Sequence, residues 1–381
     1  METIITYRQR IFGLDVVRAL AIILILCSHS TLLLFPESQS NIIKTIQFFG
    51  TIGVDLFFVL SGFLIGTILI KHIENNKTSF KDFANFWMRR WLRTLPNYYL
   101  VLLINIGLIL LFNAELPNQL FKYFFFLQNL SQKQPDFFTE SWSLTIEEFA
   151  YIAGPVLLII LGIFFKRLNK WSFLVVSLLI IASAIYHRFL FDFNVTILPE
   201  NFSWSKSLRK VVVFRLDSIY YGFLGAFFGF YYTNLWLRFR YVSFIIGVIL
   251  FVVTHVYILI NKLNPDSFSL FFNVYYLSLL AISIVLTFPM FSNWKSNKVL
   301  LKPITNISLW SYSIYLINYS IVLLSLQLYI QISELSLIGK FGVLLLYLAL
   351  TFVLSYLLFT FFEYPILKFR DSKRYKRWFK N

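Results

Sequence analysis

One cysteine, Cys27, occurs in 381 residues. That count leaves no internal disulfide and no cysteine-built metal cluster. The residue falls in a long apolar run, where a small buried hydrophobe is the ordinary reading. Histidine is nearly as scarce, with four copies, too few for a histidine-rich metal centre, so no metal is expected. Charged residues make up 14% of the chain, against about 25% in a typical soluble domain. Acidic residues are the rarer sign: 18 Asp and Glu face 34 Lys and Arg, for a formal net charge of +16. No soluble second domain, low-complexity linker or fixed-period repeat is visible. Residues 1–381 therefore read as a single membrane domain, with a basic tail over 366–381.

What the chain has in abundance is hydrocarbon. It is 58% hydrophobic, with 45 phenylalanines and a mean hydropathy of +0.72. A helix of ~20 apolar residues crosses a bilayer. Ten such stretches are read at 13–35, 47–70, 97–113, 144–165, 172–191, 212–232, 242–261, 268–289, 306–330 and 339–364. The expected fold is an all-α polytopic membrane protein, a bundle of about ten transmembrane helices. The apolar piece at 121–130 is too short to span and is expected at an interface. Arg8 and Arg10 resemble the start of a signal peptide, but no small-residue cleavage site follows, so a permanent first helix is expected.

In a soluble protein this charge would point to nucleic acid. Here it points to cytoplasmic loops against anionic lipid, so the bilayer is the expected partner and nucleic acid is not. Lys and Arg concentrate on alternate connections and at both ends, for example at Arg8 and Arg10, Lys71 to Arg93, Lys166 to Lys170, and Lys368 to Lys380. The positive-inside rule places both termini in the cytoplasm. Lys206, Arg209 and Lys210 break the pattern from the opposite side. They could meet an anionic acceptor or lipid, or simply be solvated.

Ionisable groups inside spans are expensive and mark candidate sites. Arg18 and His29 are eleven residues apart, which is about three turns plus ~20°, so they share a face ~16 Å apart. The arginine falls toward the cytoplasm and the histidine toward the outer half. A snorkelling arginine and a satisfied core histidine are the plain alternatives. Asp55 opens span two, with Gly62 on the same face where a backbone or ligand could approach. Glu147 shares a face with Ser143, Tyr151 and Gly154, whereas Glu148 shares one with Leu144 and Ile152. Glu147 is thus the carboxylate expected to face a polar interior. Arg215 and Asp217 open span six. His29, Asp55, Glu147 and Asp217 are expected in one outer layer, where a neutral histidine beside carboxylates can serve as general base. The competing reading is a buried ion-pair network that specifies packing. On the cytoplasmic side, Arg89, Arg90 and Arg93 precede Pro96, which is expected to mark a turn or helix start. Guanidinium forks suit phosphate, although an ordinary anchor with Trp87 and Trp91 has the same composition.

Taken in order, these stretches resemble the acyltransferase-3 family of integral-membrane acyltransferases. The resemblance rests on Arg18 and His29 within "GLDVVRALAIILILCSH", "GVDLFFVLSGFLI" from Gly53, and "RWLR" from Arg90. It continues through "WSLTIEEFAY" from Trp142, "FRLDSIYYGFLGA", "SYSIYLINYS" and "FEYP". Two positions depart from the family pattern: Asn318 stands where histidine is frequent, and Ala150 replaces a common aromatic. The resemblance implies transfer of an acyl group, usually acetyl, from cytoplasmic acyl-CoA to a glycan or lipid-linked saccharide. It also implies a multi-pass protein of a bacterial inner (plasma) membrane. With no fused hydrolase-like domain, transfer is expected to finish in the membrane domain or on a separate protein.

On this scheme Arg89, Arg90 and Arg93 hold the CoA phosphates, and the pantetheine arm passes Arg18. His29 is the base, oriented by Glu147 or Asp55. Asp217, Arg215, Trp142 and Ser61 serve the acceptor or the oxyanion. The other class considered is a proton-coupled transporter or exporter built on the same buried charges, which predicts internal repeats. His72, His187 and His255 match no motif and are read as packing or interfacial residues.

Overall fold

The computed structural model describes residues 10–113, 115–165, 167–194, 203–295 and 298–378. Arg8, Lys166 and the last three residues of the basic tail lie outside the described residues. The chain is an all-α polytopic membrane protein, with no strand among the described residues. Its principal helices are α1 (Phe12–Leu34), α2 (Asn41–Glu74), α3 (Phe80–Leu111), α4 (Ser141–Phe164) and α5 (Lys170–Asn194). These are followed by α6 (Asp217–Tyr231), α7 (Arg240–Ile260), α8 (Phe271–Phe291), α9 (Leu300–Tyr329) and α10 (Leu337–Arg370).

Among the described residues, nine of these helices are long and apolar enough to cross a membrane. The exception is α6, the expected span 212–232. It begins late because Val212–Phe214 forms a tight 3-10 turn, and it has 15 residues, or ~22 Å against a hydrocarbon core of ~30 Å. α6 packs between α2 and α5, which cover most of its length, while Phe228 and Phe230 near its end stay exposed.

α3 also departs from expectation. Pro96 does not begin it. The helix starts at a capping box in which the Ser79 hydroxyl accepts from the Asp82 backbone N–H and the Asp82 carboxylate accepts from the Ser79 backbone N–H. The box satisfies the free donors of the first turn, and the helix runs through Pro96. Arg89, Arg90 and Arg93 therefore sit on a helix continuous with the membrane span. The 121–130 piece is folded into the protein, with Tyr123, Gln128 and Asn129 buried.

α2 is the central helix, packed on α1 along one side and on α6 along the other. Its crossing with α6 is backbone against backbone. A Cβ on Gly62 would lie 1.8 Å from the Ile219 carbonyl oxygen, and one on Gly222 would lie 2.2 Å from the Val59 carbonyl oxygen. The close approach anticipated at Gly62 is thus made by a neighbouring backbone. α8, α9 and α10 each contain one π-helical turn, at Phe271–Tyr276, Asn318–Leu323 and Phe359–Glu363. Such turns shift the register of the side chains and recur at functional sites. The space left between α1, α2, α3, α4 and α9 holds the polar cavities.

Candidate active site

The polar interior is divided in two. One cavity, of about 100 Å³, lies toward the start of α1. The other, of about 170 Å³, lies toward its end. Both are walled by Val54 of α2 and Tyr315 of α9, which form the divide. There the Tyr315 hydroxyl lies 2.7 Å from the Ser143 hydroxyl and donates to the Glu140 carbonyl oxygen at 3.1 Å.

The near cavity is cationic. Arg18, Arg90 and Arg93 line it with one carboxylate, Glu147, and with Ser61, Thr94, Tyr151 and Tyr312. Arg18 is held by the Ser308 hydroxyl at 3.3 Å and by Asp15 at 3.7 Å. Arg90 and Arg93 form no ion pair within 4.0 Å among the described residues. Glu147 accepts hydrogen bonds from Ser61 and from the Tyr151 hydroxyl, each at 3.0 Å. Its neighbour Glu148 is turned onto α3, accepting from Thr94 at 2.7 Å and from the Trp91 indole at 3.1 Å. Tyr312 in turn donates to the Thr94 carbonyl at 2.7 Å. Glu148 and Tyr312 thereby brace the turn that carries Arg90 and Arg93. Two guanidinium groups without ion-pair partners in a partly closed space suit a phosphorylated ligand.

The far cavity holds His29, with Ser28, Gln47, Glu140, Trp142, Arg209, Lys210 and Tyr319. The tautomer of His29 follows from its partner. Both amide hydrogens of Asn318 are committed, to the Ile314 carbonyl at 2.7 Å and the Tyr315 carbonyl at 2.8 Å. Its amide oxygen therefore faces His29 Nδ1, and an amide oxygen can only accept. The proton must sit on Nδ1, which leaves Nε2 with a lone pair and no hydrogen bond among the described residues. Tyr319 packs on the imidazole, ring centroids 4.9 Å apart.

Outside the membrane spans, burial pushes the Glu140 carboxyl up to about 7. Burial, with Arg209 and Lys206 nearby, pushes the Lys210 ammonium down to about 7.

The expected single layer of His29, Asp55, Glu147 and Asp217 is not assembled. Asp55 is fully buried against Arg215, whose guanidinium also contacts Ser218 and lies 5.6 Å above the Phe58 ring. Asp217 pairs with the buried Arg188 at 2.8 Å, and Ser278 bridges the two. Neither pair lines a cavity with His29. Glu147 belongs to the near cavity because α4 does not begin at a solvated edge. Its first residues, Ser141 and Trp142, are already buried, and Glu147 lies six residues beyond Ser141, ~9 Å deeper. The carboxylate that shares the far cavity is Glu140, one residue before the helix. Trp142 lines that cavity, and Ser61 the near one.

Arg89 is separated from Arg90 and Arg93. It is bonded to Asp371 at 2.7 Å and lies over the Tyr375 ring at 5.9 Å, where the tail folds back on α3. In the sequence Asn318 stands out only as a departure from a pattern, and no spacing singles out Glu140 or Tyr315. An asparagine following a tyrosine-rich apolar stretch was the available signal for the first.

A family model described as an acyltransferase domain matches residues 11–360. The chain is 32% identical over 201 residues to the "Putative peptidoglycan O-acetyltransferase YrhL" of Bacillus subtilis, covering 49% of this chain and 29% of that protein. It is 30% identical over 168 residues to the peptidoglycan O-acetyltransferase OatA of Listeria monocytogenes, covering 40% and 25% respectively. A "Putative O-acetyltransferase" of Staphylococcus aureus is 26% identical over 93% of this chain and 57% of its own length. The matched region spans less than two thirds of each of these relatives. No solved structure matches the chain.

Proposed function

Since the chain belongs to the acyltransferase-3 family, we propose that it is a membrane O-acyltransferase moving an acyl group, most simply acetyl, from acyl-CoA to a hydroxyl of a cell-envelope or exported glycan. Relatives named as peptidoglycan O-acetyltransferases support the acetyl group and the glycan. The observation that carries the mechanism is the pair of polar cavities meeting at Val54 and Tyr315, one cationic and one holding a histidine with a free Nε2.

Loop charge supports the near cavity facing the cytoplasm of a bacterial plasma membrane. Arg90 and Arg93 hold the CoA phosphates, and Arg18 lies along the arm's path. The acceptor hydroxyl enters the far cavity. His29 Nε2 removes its proton as the oxygen attacks the thioester carbonyl. The carbon–sulfur bond then breaks, and the CoA thiolate takes the proton from the imidazolium, which restores the base. Asn318 keeps Nδ1 protonated throughout. The hydroxyls of Ser143 and Tyr315 at the divide rotate away from each other and from the Glu140 carbonyl to donate to the oxyanion as it forms, while Ser61 and Arg215 stay bonded to Glu147 and Asp55. Glu147 shapes the donor channel, and the Asp55 and Asp217 pairs fix the packing of α2, α5 and α6.

The test follows radiolabel from acetyl-CoA into glycan in membranes. His29→Ala, inserted at the wild-type level, is expected to lose a factor of about 10²–10⁴, the range for a general base. Unchanged transfer in that variant, or no transfer by the wild type, would overturn the proposal.

A further inference from the structure

The far cavity keeps charges that no ion pair among the described residues neutralises. Arg209 is 7% exposed. Its Nε and Nη2 both donate to the Ser205 hydroxyl, at 3.1 and 2.9 Å, while Nη1 is buried without a partner among the described residues. Lys210 lines the same cavity. Both cations sit against the Trp142 ring, at 4.8 and 5.7 Å from its centroid. Lys206, the third cation of the run, is taken by Asp136 at 2.7 Å. Among the described residues Glu140 is the one carboxylate in the lining, and it pairs with neither cation within 4.0 Å. Its Oε1 accepts from the Ser320 N–H at 3.3 Å and hydroxyl at 2.6 Å, and its Oε2 is buried without a partner. A buried guanidinium N–H and a buried carboxylate oxygen without partners, on two residues that line one cavity, run against the rule that such groups are satisfied. Leaving a buried polar group unpaired costs its full desolvation penalty. A ligand that closes both removes that cost.

We infer that the far cavity is the acceptor site and that it selects a saccharide bearing an anionic group, carboxylate or phosphate, beside the hydroxyl that receives the acyl group. The inference rests on the acyl-transfer reading above and adds the acceptor's charge to it. The anion sits on Arg209 Nη1 and Lys210. A sugar hydroxyl or amide N–H donates to Glu140 Oε2, and the rings of Trp142, Tyr315 and Tyr319 provide flat apolar walls for the sugar. His29, in the same lining, faces the hydroxyl. The anion charge is supplied either by the sugar itself, as a uronate, or by the phosphate of a lipid-linked saccharide.

The test is binding to the full chain purified in detergent, read by intrinsic fluorescence and thermal shift, with three probes: methyl glucuronoside, glucose 1-phosphate and methyl glucoside. At least one anionic probe is expected to bind tenfold or more tightly than the neutral one, and the stronger of the two identifies the source of the charge. Arg209→Gln and Lys210→Gln should each weaken the anionic probe and leave the neutral one unchanged. His29→Ala should retain the preference. Equal affinity of wild-type protein for all three probes, or a preference that survives in both Arg209→Gln and Lys210→Gln, would overturn the inference. Should Arg209→Gln fail to fold, the wild-type comparison and Lys210→Gln still decide. Label transfer without a charge preference removes this inference alone. Charge-selective binding without label transfer removes the acyl-transfer reading and the acceptor role, and leaves a site for an anionic saccharide.

Discussion

Replacing Asn318 by alanine isolates the hydrogen bond that sets the tautomer of His29. Asn318 lines neither cavity, so its effect on transfer must pass through the imidazole. Its amide nitrogen is anchored on two carbonyls at 2.7 and 2.8 Å, and its oxygen receives Nδ1–H. One such bond contributes about 1 kcal/mol net, which is roughly a fivefold bias toward the competent tautomer and ring orientation. The expected loss in kcat is therefore about five- to tenfold, well below the factor of about 10²–10⁴ for losing the base itself, and KM for acetyl-CoA should not move. Stability should fall by about 1–3 kcal/mol, because two buried carbonyls lose their donor, so rates must be normalised to folded protein by size exclusion and thermal melting. Asn318→Asp keeps an acceptor facing Nδ1 and is expected to recover kcat relative to the alanine variant. The decisive measurement is the double variant: His29→Ala with Asn318→Ala should transfer no more slowly than His29→Ala alone. An unchanged kcat in Asn318→Ala, or an additive loss in the double variant, would refute the reasoning.

Three further outcomes follow from the geometry. Arg90→Gln and Arg93→Gln should each raise KM for acetyl-CoA about tenfold or more, as expected for losing a charge-assisted contact of about 1.5–3 kcal/mol, whereas Arg89→Gln, whose partner is Asp371, should change it less than about twofold; donor titrations separate them. Gly62→Ala or Gly222→Ala would drive a methyl into a carbonyl oxygen across the α2–α6 crossing, and the melting temperature in detergent should drop, with a destabilisation of at least the ~1–3 kcal/mol typical of overpacking.

Affinity for an anionic saccharide should weaken as pH rises through about 7. Lys210 loses its proton there and Glu140 gains its negative charge. The other groups that bear on Lys210 are Arg209, Lys206 and Asp136, with His29 across the cavity. A bound anion draws the Lys210 value upward, so the decline should begin later in the complex than in the free protein. A pH-independent affinity from 6 to 9 would remove Lys210 from the site.

Much of the architecture was legible in the chain itself. Apolar runs long enough to cross a bilayer mark themselves, because lipid tolerates only backbones that satisfy their own hydrogen bonds. The near-identical faces of Arg18 and His29 and their separation along α1 follow from the helix repeat alone. Depth is not legible in the same way, because position in the chain gives depth only on the assumption that every helix begins at the membrane edge. The buried connection before Ser141 breaks that assumption for Glu147. The late start of α6 at Asp217 breaks it for the sixth span.

Local periodicity determined the helices, the polar faces and the placement of an arginine and a histidine on one wall. Pairing was decided only by the folded chain. Asp55 went to Arg215, Asp217 to Arg188, Arg89 to Asp371 and His29 to Asn318, and each pair joins segments separated by 29 to 289 residues. The reason is physical. A buried charge or imidazole takes whichever complementary group the packing brings within about 3 Å, and that neighbour is set by how α1 meets α9, how α2 and α5 meet α6, and how the tail meets α3, which no one-dimensional spacing contains.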